Sequence, residues 1–186
     1  MAARDGFFPA TGMPDRACWA ALWPDPGKVL RMHEQFELRT LDVNGITLWA
    51  AVEGDGPLVI LVHGWPELWY SWRHQIKPIA RAGYRVVVPD VRGYGGSDKP
   101  HAVEAYDMAT LMDDLIGIID AFGEASAILV GHDWGAPICW NTAALHPERV
   151  AAVAALSVPY RKRGKASPIE TVRRIYAGKF FYQLYF

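Results

Sequence analysis

Cysteine is nearly absent from this chain: Cys18 and Cys139 are the two in 186 residues. Their number and separation exclude a disulfide framework and any closely spaced cysteine metal site, and they fit a reducing, cytoplasmic setting. An excess of charge is missing too. Nineteen Lys and Arg face 20 Asp and Glu, a formal net charge of -1, so nothing electrostatic favours nucleic acid or an anionic membrane as partner. The basic run Tyr160 to Lys165, "YRKRGK", reads as a solvated loop. No apolar run is long enough to span a bilayer, and the opening "MAARDGFFPATGMPDRACWAALWPDP" has no apolar leader segment. Internal repeats are absent as well. What remains is an ordinary soluble composition, 51% hydrophobic and 21% charged, with enough apolar surface for one substantial core.

Residues 1–33, rich in Pro, Gly and Trp, read as an N-terminal extension with one short helix in "RACWAAL". From residue 34 to 159 the pattern becomes regular. "QFELRTLDV" and "ITLWAAVEG" are strands joined by "VNG", a hairpin signal because Asn and Gly tolerate positive φ. "PLVILVHG", "YRVVVPD", "SAILVG" and "VAAVAALSVP" are apolar runs that suit buried strands. Between them, "SWRHQIKPIARAG", "YDMATLMDDLIGIIDAFG" and "GAPICWNTAALHPERV" read as helices. Leu111, Leu115, Ile118, Ile119 and Phe122 form one helical stripe. Strands alternating with helices predict an α/β fold: a mostly parallel sheet, helices on both faces, opened by an antiparallel hairpin.

In such sheets, ligands sit at the carboxyl ends of the strands. Three unusual loops fall there: "HGWPE", "DVRGYGGSDKP" and "GHDWGA". The last has the form of a nucleophile elbow without the usual serine; Asp133 stands at its centre. Gly131, Gly135 and Ala136 are small where strand and helix must approach. A carboxylate there is either the cap of the following helix or a nucleophile. A cap does not need small residues on both sides, so the nucleophile reading is preferred. Trp69, Tyr70, Trp72 and Tyr94 are read either as lining an apolar cavity or as core.

Taken together and in this order, "HGWPE", "PDVRGYGGSDKP" and "GHDWGAP" resemble the epoxide hydrolases of the α/β-hydrolase superfamily. The resemblance runs from about Glu34 to the last residue. It implies Asp133 as nucleophile and the backbone N–H groups of Trp65 and Trp134 as oxyanion hole. It makes Trp65–Pro66 a candidate cis bond. The C-terminal "FFYQLYF" resembles the start of the family's lid, 160–186 here, and Tyr182 matches the lid tyrosine that hydrogen-bonds the epoxide oxygen; Tyr185 matches one without that role. Trp65, Trp134 and Tyr182 would thus contact substrate. The implied reaction opens a small hydrophobic epoxide to a vicinal diol through an Asp ester and then water, with no metal and no organic cofactor.

The family's water-activating His, its acidic partner and a second lid tyrosine are expected beyond residue 186. His63 reads as structural, His132 as pointing away from the nucleophile by strand alternation, and His146 as a helix-end residue. His33, His74 and His101 lie in segments without a base-like motif. The chain is therefore expected to be truncated before the last strands and to lack the base. The strand Val150 to Val158 would then be an exposed edge that invites self-association. Two alternatives stay open. Haloalkane dehalogenases share the aspartate elbow and its tryptophan, but typically carry Asn after the H-G pair, where this chain has Trp65 and Pro66. A non-catalytic remnant of the fold is the other. Fluoroacetate-type dehalogenases prefer Arg after the nucleophile, which Trp134 disfavours, and a serine esterase is disfavoured by the elbow itself.

Overall fold

Apolar runs and alternation become six strands in one sheet. The structure, a computed structural model, describes residues 35–160 and 168–177. The helix expected in "RACWAAL" and the segment carrying Tyr182 and Tyr185 lie outside the described residues.

Strands β1 (Glu37–Val43) and β2 (Ile46–Glu53) form the antiparallel hairpin. Asn44 (φ 47°) and Gly45 (φ 75°) turn it, both in the left-handed region that a tight two-residue hairpin demands. The Asn44 side chain donates to Asp114 Oδ1 at 2.9 Å, tying the turn to a helix. Then come β3 (Leu58–Val62), β4 (Arg85–Pro89), β5 (Ala127–His132) and β6 (Val150–Leu156). The order across the sheet is β1-β2-β4-β3-β5-β6, and β4, β3, β5 and β6 run parallel.

Helix α1 (Arg73–Arg81) follows β3. Helix α2 (Met108–Ala121) follows β4, its first turn capped by Asp107, which accepts the Thr110 N–H at 2.7 Å. Helix α3 (Gly135–Leu145) follows β5 directly, and α4 (Pro168–Ile175) lies beyond β6. None of the described helices is long and apolar enough to cross a membrane.

Strand β3 explains why its sequence is continuously apolar. Leu58, Ile60 and Val62 face one core, packed with Leu115, Ile118 and Ile119 of α2 and with Ile138 and Cys139 of α3. Val59 and Leu61 face the other, with Val86, Val88, Trp69, Trp72 and Ile76. A strand buried on both faces has no polar side. Trp69 and Trp72, 2% and 7% exposed, pack into this second core. The loop after β4 is pinned to α2 by a buried pair: Arg92 donates twice to Asp114, at 2.8 and 2.6 Å. Removing one member of such a pair typically costs about 3–5 kcal/mol.

Strand β6 has the composition of a buried strand but lies at the margin of the sheet, the exposed edge expected of it. It is apolar, yet mostly exposed, with Leu156 at 44%. The reason is position: it closes the sheet order, and among the described residues no strand pairs with its outer edge.

Cys139 sits fully buried between α3 and the sheet, and burial pushes its thiol up to about 12. A free thiol ionises near 8.5, so at pH 8 the folded chain should hold essentially no Cys139 thiolate. Iodoacetamide at pH 8 is expected to spare Cys139 in the native chain and to label it once denaturant is added, as read by peptide mass spectrometry. Rapid native labelling would mean that α3 is not docked as described.

Candidate active site

Strand β5 ends at His132 and α3 begins at Gly135, so Asp133 and Trp134 make the whole turn. Asp133 has φ 49°, a left-handed conformation that few side chains adopt. Two backbone bonds hold it there: its N–H donates to Leu156 O (3.3 Å), and its carbonyl accepts the Ala136 N–H (3.1 Å). The turn closes because nothing fills it. A Cβ on Gly131 would overlap Gly135 O and lie 2.7 Å from the Ala136 Cα. One on Gly135 would overlap Val62 O and lie 2.8 Å from His63 O.

The loop after β3 rests on the Asp133 side chain. A Cβ on Gly64 would overlap the Asp133 Cβ and sit 2.7 Å from Oδ1. From this contact the Trp65 N–H donates to Asp133 Oδ1 at 2.9 Å. Helix α3 has no side-chain cap at its start. The carboxylate is engaged across the rim rather than as the helix cap that the sequence left open. Trp134 has helical torsions (φ −61°, ψ −27°) at that start, where N–H groups have no partner within the helix. Trp65 and Trp134 are 44% and 46% exposed, so an apolar surface borders the half-buried Asp133. The Trp65–Pro66 peptide is cis.

Behind this loop stand groups to which the sequence assigned no catalytic role. His63, 1% exposed, accepts the Val91 N–H at Nε2 (2.9 Å) and places Nδ1 2.8 Å from Gly64 O. Burial lowers its pKa, against the pull of the Gly64 carbonyl and the Asp90 and Glu67 charges. Asp90, 2% exposed, accepts the N–H groups of Trp69 and Gly96, both at 2.9 Å, and so ties the loop after β3 to the loop after β4. Glu67 Oε2 accepts the Gly64 N–H (3.3 Å) and lies 3.2 Å from His132 Nδ1. His132 follows the strand alternation to the α1 face and there meets Glu67 of the loop after β3. Tyr94 packs edge-on to His63 with centroids 5.1 Å apart; burial first, and the Asp133 charge second, raises its pKa. Of the four aromatics read as cavity or core, Tyr94 is the one placed near Asp133; Tyr70 instead lies under the Arg73 guanidinium at 4.7 Å.

Nothing in the alternation of "HGWPE" or "PDVRGYGG" marks Glu67 or Asp90, because their partners are backbone amides of irregular loops, which follow no period. His63 and Tyr94 stand in quoted motifs, but their facing could not be read from spacing. Tyr182 lies outside the described residues. No cluster of three or more His, Cys, Asp or Glu among the described residues is arranged to hold a metal ion.

A family model described as the alpha/beta hydrolase fold matches residues 57–185. Epoxide hydrolase A of Mycobacterium tuberculosis is 53% identical over 150 residues, which are 80% of this chain and 47% of that protein. Epoxide hydrolase 3 of Siraitia grosvenorii is 43% identical over 149 residues, 80% of this chain and 47% of that protein. Among solved structures, epoxide hydrolase A from Mycobacterium thermoresistibile superposes with a TM-score of 0.78 at 50% identity, covering 81% of this chain and 48% of its own. The chain thus spans about half the length of the curated relatives it matches.

Gly135→Ala tests the close approach at the turn. In an open helical position Gly→Ala stabilises by up to about 1 kcal/mol. Here the added methyl meets the backbone of the central strand, and overpacking of this kind costs about 1–3 kcal/mol. The expected outcome is a lowered urea midpoint with unchanged slope; a raised midpoint would show that the strand and helix do not touch there.

Proposed function

The chain belongs to the alpha/beta hydrolase fold family, and from that premise we propose that it carries the epoxide-opening machinery of an epoxide hydrolase, with Asp133 as nucleophile. The observation that supports this most is the Trp65 N–H on Oδ1 at 2.9 Å. It commits one carboxylate oxygen and leaves Oδ2 to attack. Oδ2 displaces the ring oxygen from a strained sp³ carbon; the C–O electron pair goes to that oxygen, which takes a proton from the Tyr182 phenol. The product is an Asp133 ester whose carbonyl oxygen is Oδ1. Water adding to the carbonyl carbon then drives negative charge onto Oδ1, where the Trp65 and Trp134 amides form the oxyanion hole. Losing one such donor typically costs about 3 kcal/mol. In this reading residues 34–159 are the catalytic core, 160–186 begin the lid, and 1–33 are an extension. The substrate is a small hydrophobic epoxide, in keeping with the exposed Trp65 and Trp134, and the chemistry as written uses no cofactor.

Hydrolysis needs a base. His63 has both ring nitrogens committed to backbone groups. His132 faces Glu67, and His146 ends α3 at the opposite end from Asp133. His74 lies on α1 and His101 in an exposed loop. Among the described residues no histidine is placed as that base (His33 lies outside them), so the 186-residue chain should be alkylated and release product slowly. Incubated with styrene oxide, it should gain one stable equivalent by intact mass, located at Asp133, and Asp133→Asn should abolish the gain. Faster modification by a chloroalkane would favour a haloalkane dehalogenase. A folded chain that takes up neither reagent is a non-catalytic remnant.

The apolar margin of β6, with which no strand pairs among the described residues, should also lead this chain to self-associate in isolation, since open strand edges pair with one another. Light scattering should detect species larger than a monomer, and Ala154→Lys, at an exposed position of β6, should reduce them. A monodisperse wild-type monomer would contradict this.

A further inference from the structure

We propose that His63 is a positioning residue of the oxyanion donor: through the Gly64–Trp65 peptide it aims and strengthens the Trp65 N–H that meets Asp133 Oδ1. This rests on the reading of Asp133 as nucleophile and of the Trp65 amide as an oxyanion donor. The two ring contacts have fixed polarity. A backbone N–H can only donate, so Val91 requires a bare Nε2 (2.9 Å). A carbonyl can only accept, so Gly64 requires a protonated Nδ1 (2.8 Å). One neutral tautomer satisfies both. The Gly64 oxygen also accepts the Glu67 N–H at 3.0 Å. That oxygen belongs to the same peptide group as the Trp65 nitrogen. Two donors on the carbonyl draw electron density from the amide and make its N–H the stronger donor, because linked hydrogen bonds polarise one another. The sequence of contacts runs unbroken: Val91 N–H, His63 ring, Gly64 carbonyl, Trp65 N–H, Asp133 Oδ1. His63 reaches no substrate itself. A merely packed histidine would hold the loop in place equally well in either tautomer and would leave the Trp65 amide unaffected.

Nitrogen-15 spectra of the full chain should show His63 with protonated Nδ1 and bare Nε2. The reverse tautomer or an imidazolium overturns the proposal, and this reading needs no variant. His63→Asn places an amide N–H near the Nδ1 position, whereas His63→Gln reaches the Nε2 position and loses the donor to Gly64. The Trp65 amide proton should therefore stay downfield in wild type and in H63N and move upfield in H63Q. The Asp133 ester formed with styrene oxide can then be followed as it decays at pH 9. Hydroxide adds to the carbonyl carbon, the alkyl oxygen leaves as the diol after taking a proton from water, and the passing charge sits on Oδ1. Decay in H63Q should slow about tenfold, well short of the hundredfold or more that outright loss of a donor costs, and H63N should recover most of it. Equal Trp65 shifts and equal decay in wild type and H63Q would overturn the proposal, as would equal loss in both variants. If the wild-type chain forms no ester, the nucleophile reading fails alone; the tautomer and the Trp65 shift still decide the role of His63.

Discussion

Everything at this rim depends on the absence of side chains at three positions. Neighbouring strands are about 4.8 Å apart, and β3 pairs with β5 up to Val62 opposite Gly131. Beyond that pair the two chains must turn past each other. Gly135 lets the start of α3 lie against the carbonyls of Val62 and His63, and Gly64 lets the loop after β3 lie against Asp133. With a methyl at Gly64 the loop would lift, and the Trp65 amide would no longer reach Oδ1. The left-handed conformation of Asp133 is part of the same solution: it is the backbone bend that carries the chain from strand to helix in two residues.

The electrostatics follow from how that space is bounded. Carboxylates are abundant around the loops, yet they are satisfied by backbone amides. Asp90 takes the amides of Trp69 and Gly96, Glu67 that of Gly64, and Asp133 that of Trp65. Arg92, which follows β4 into this region, is spent on Asp114 and not on the site. A guanidinium against Asp133 would stabilise its anion strongly and so weaken it in the nucleophile role proposed for it. An amide donor orients the carboxylate while withdrawing less charge. His63 contributes through neutrality: buried, with its pKa lowered, it adds a donor and an acceptor to the loops without adding a charge.

Most of the fold was legible from pattern alone. Alternation marked the hairpin, apolar runs marked the strands of the parallel region, and Asn44-Gly45 marked the turn. Composition is silent where position in the sheet decides exposure, and the exposed edge at β6 was expected from the resemblance, whose family has further strands, and not from its own residues. The composition of β6 matches that of β3, and only the strand order distinguishes the sheet's margin from its middle. The site was legible in its motif glycines, which are local, and in the aspartate between them. Trp69 and Trp72 could not be assigned to core or cavity by spacing, since a 3-10 turn (Trp69–Trp72) breaks the helical period that would have aimed them. Glu67, Asp90 and His63 were beyond reach for another reason. Each bonds backbone groups of irregular loops, from the adjacent Gly64 for His63 to Val91 28 positions on, and such bonds leave no periodic trace.

The two anchors of Asp133 differ in stiffness. Its side chain is held from the β3 side, through a loop rooted in a strand with both faces buried. Its backbone N–H is held from the β6 side, by Leu156 O, at the end of a strand that is mostly exposed. The β5–β6 pairing runs to His132 opposite Leu156, and Ser157 just beyond has φ 68°. Trp140 of α3 donates its indole N–H to Val158 O at 3.3 Å, a second tie to the same segment. Local opening is cheapest where burial is least, so the β6 margin should fray before β3 does. Fraying there would release the strained backbone of Asp133 while Oδ1 stayed tethered. The orientation of the carboxylate is thus rooted in the most protected part of the sheet, and the bend that presents it depends on the least protected.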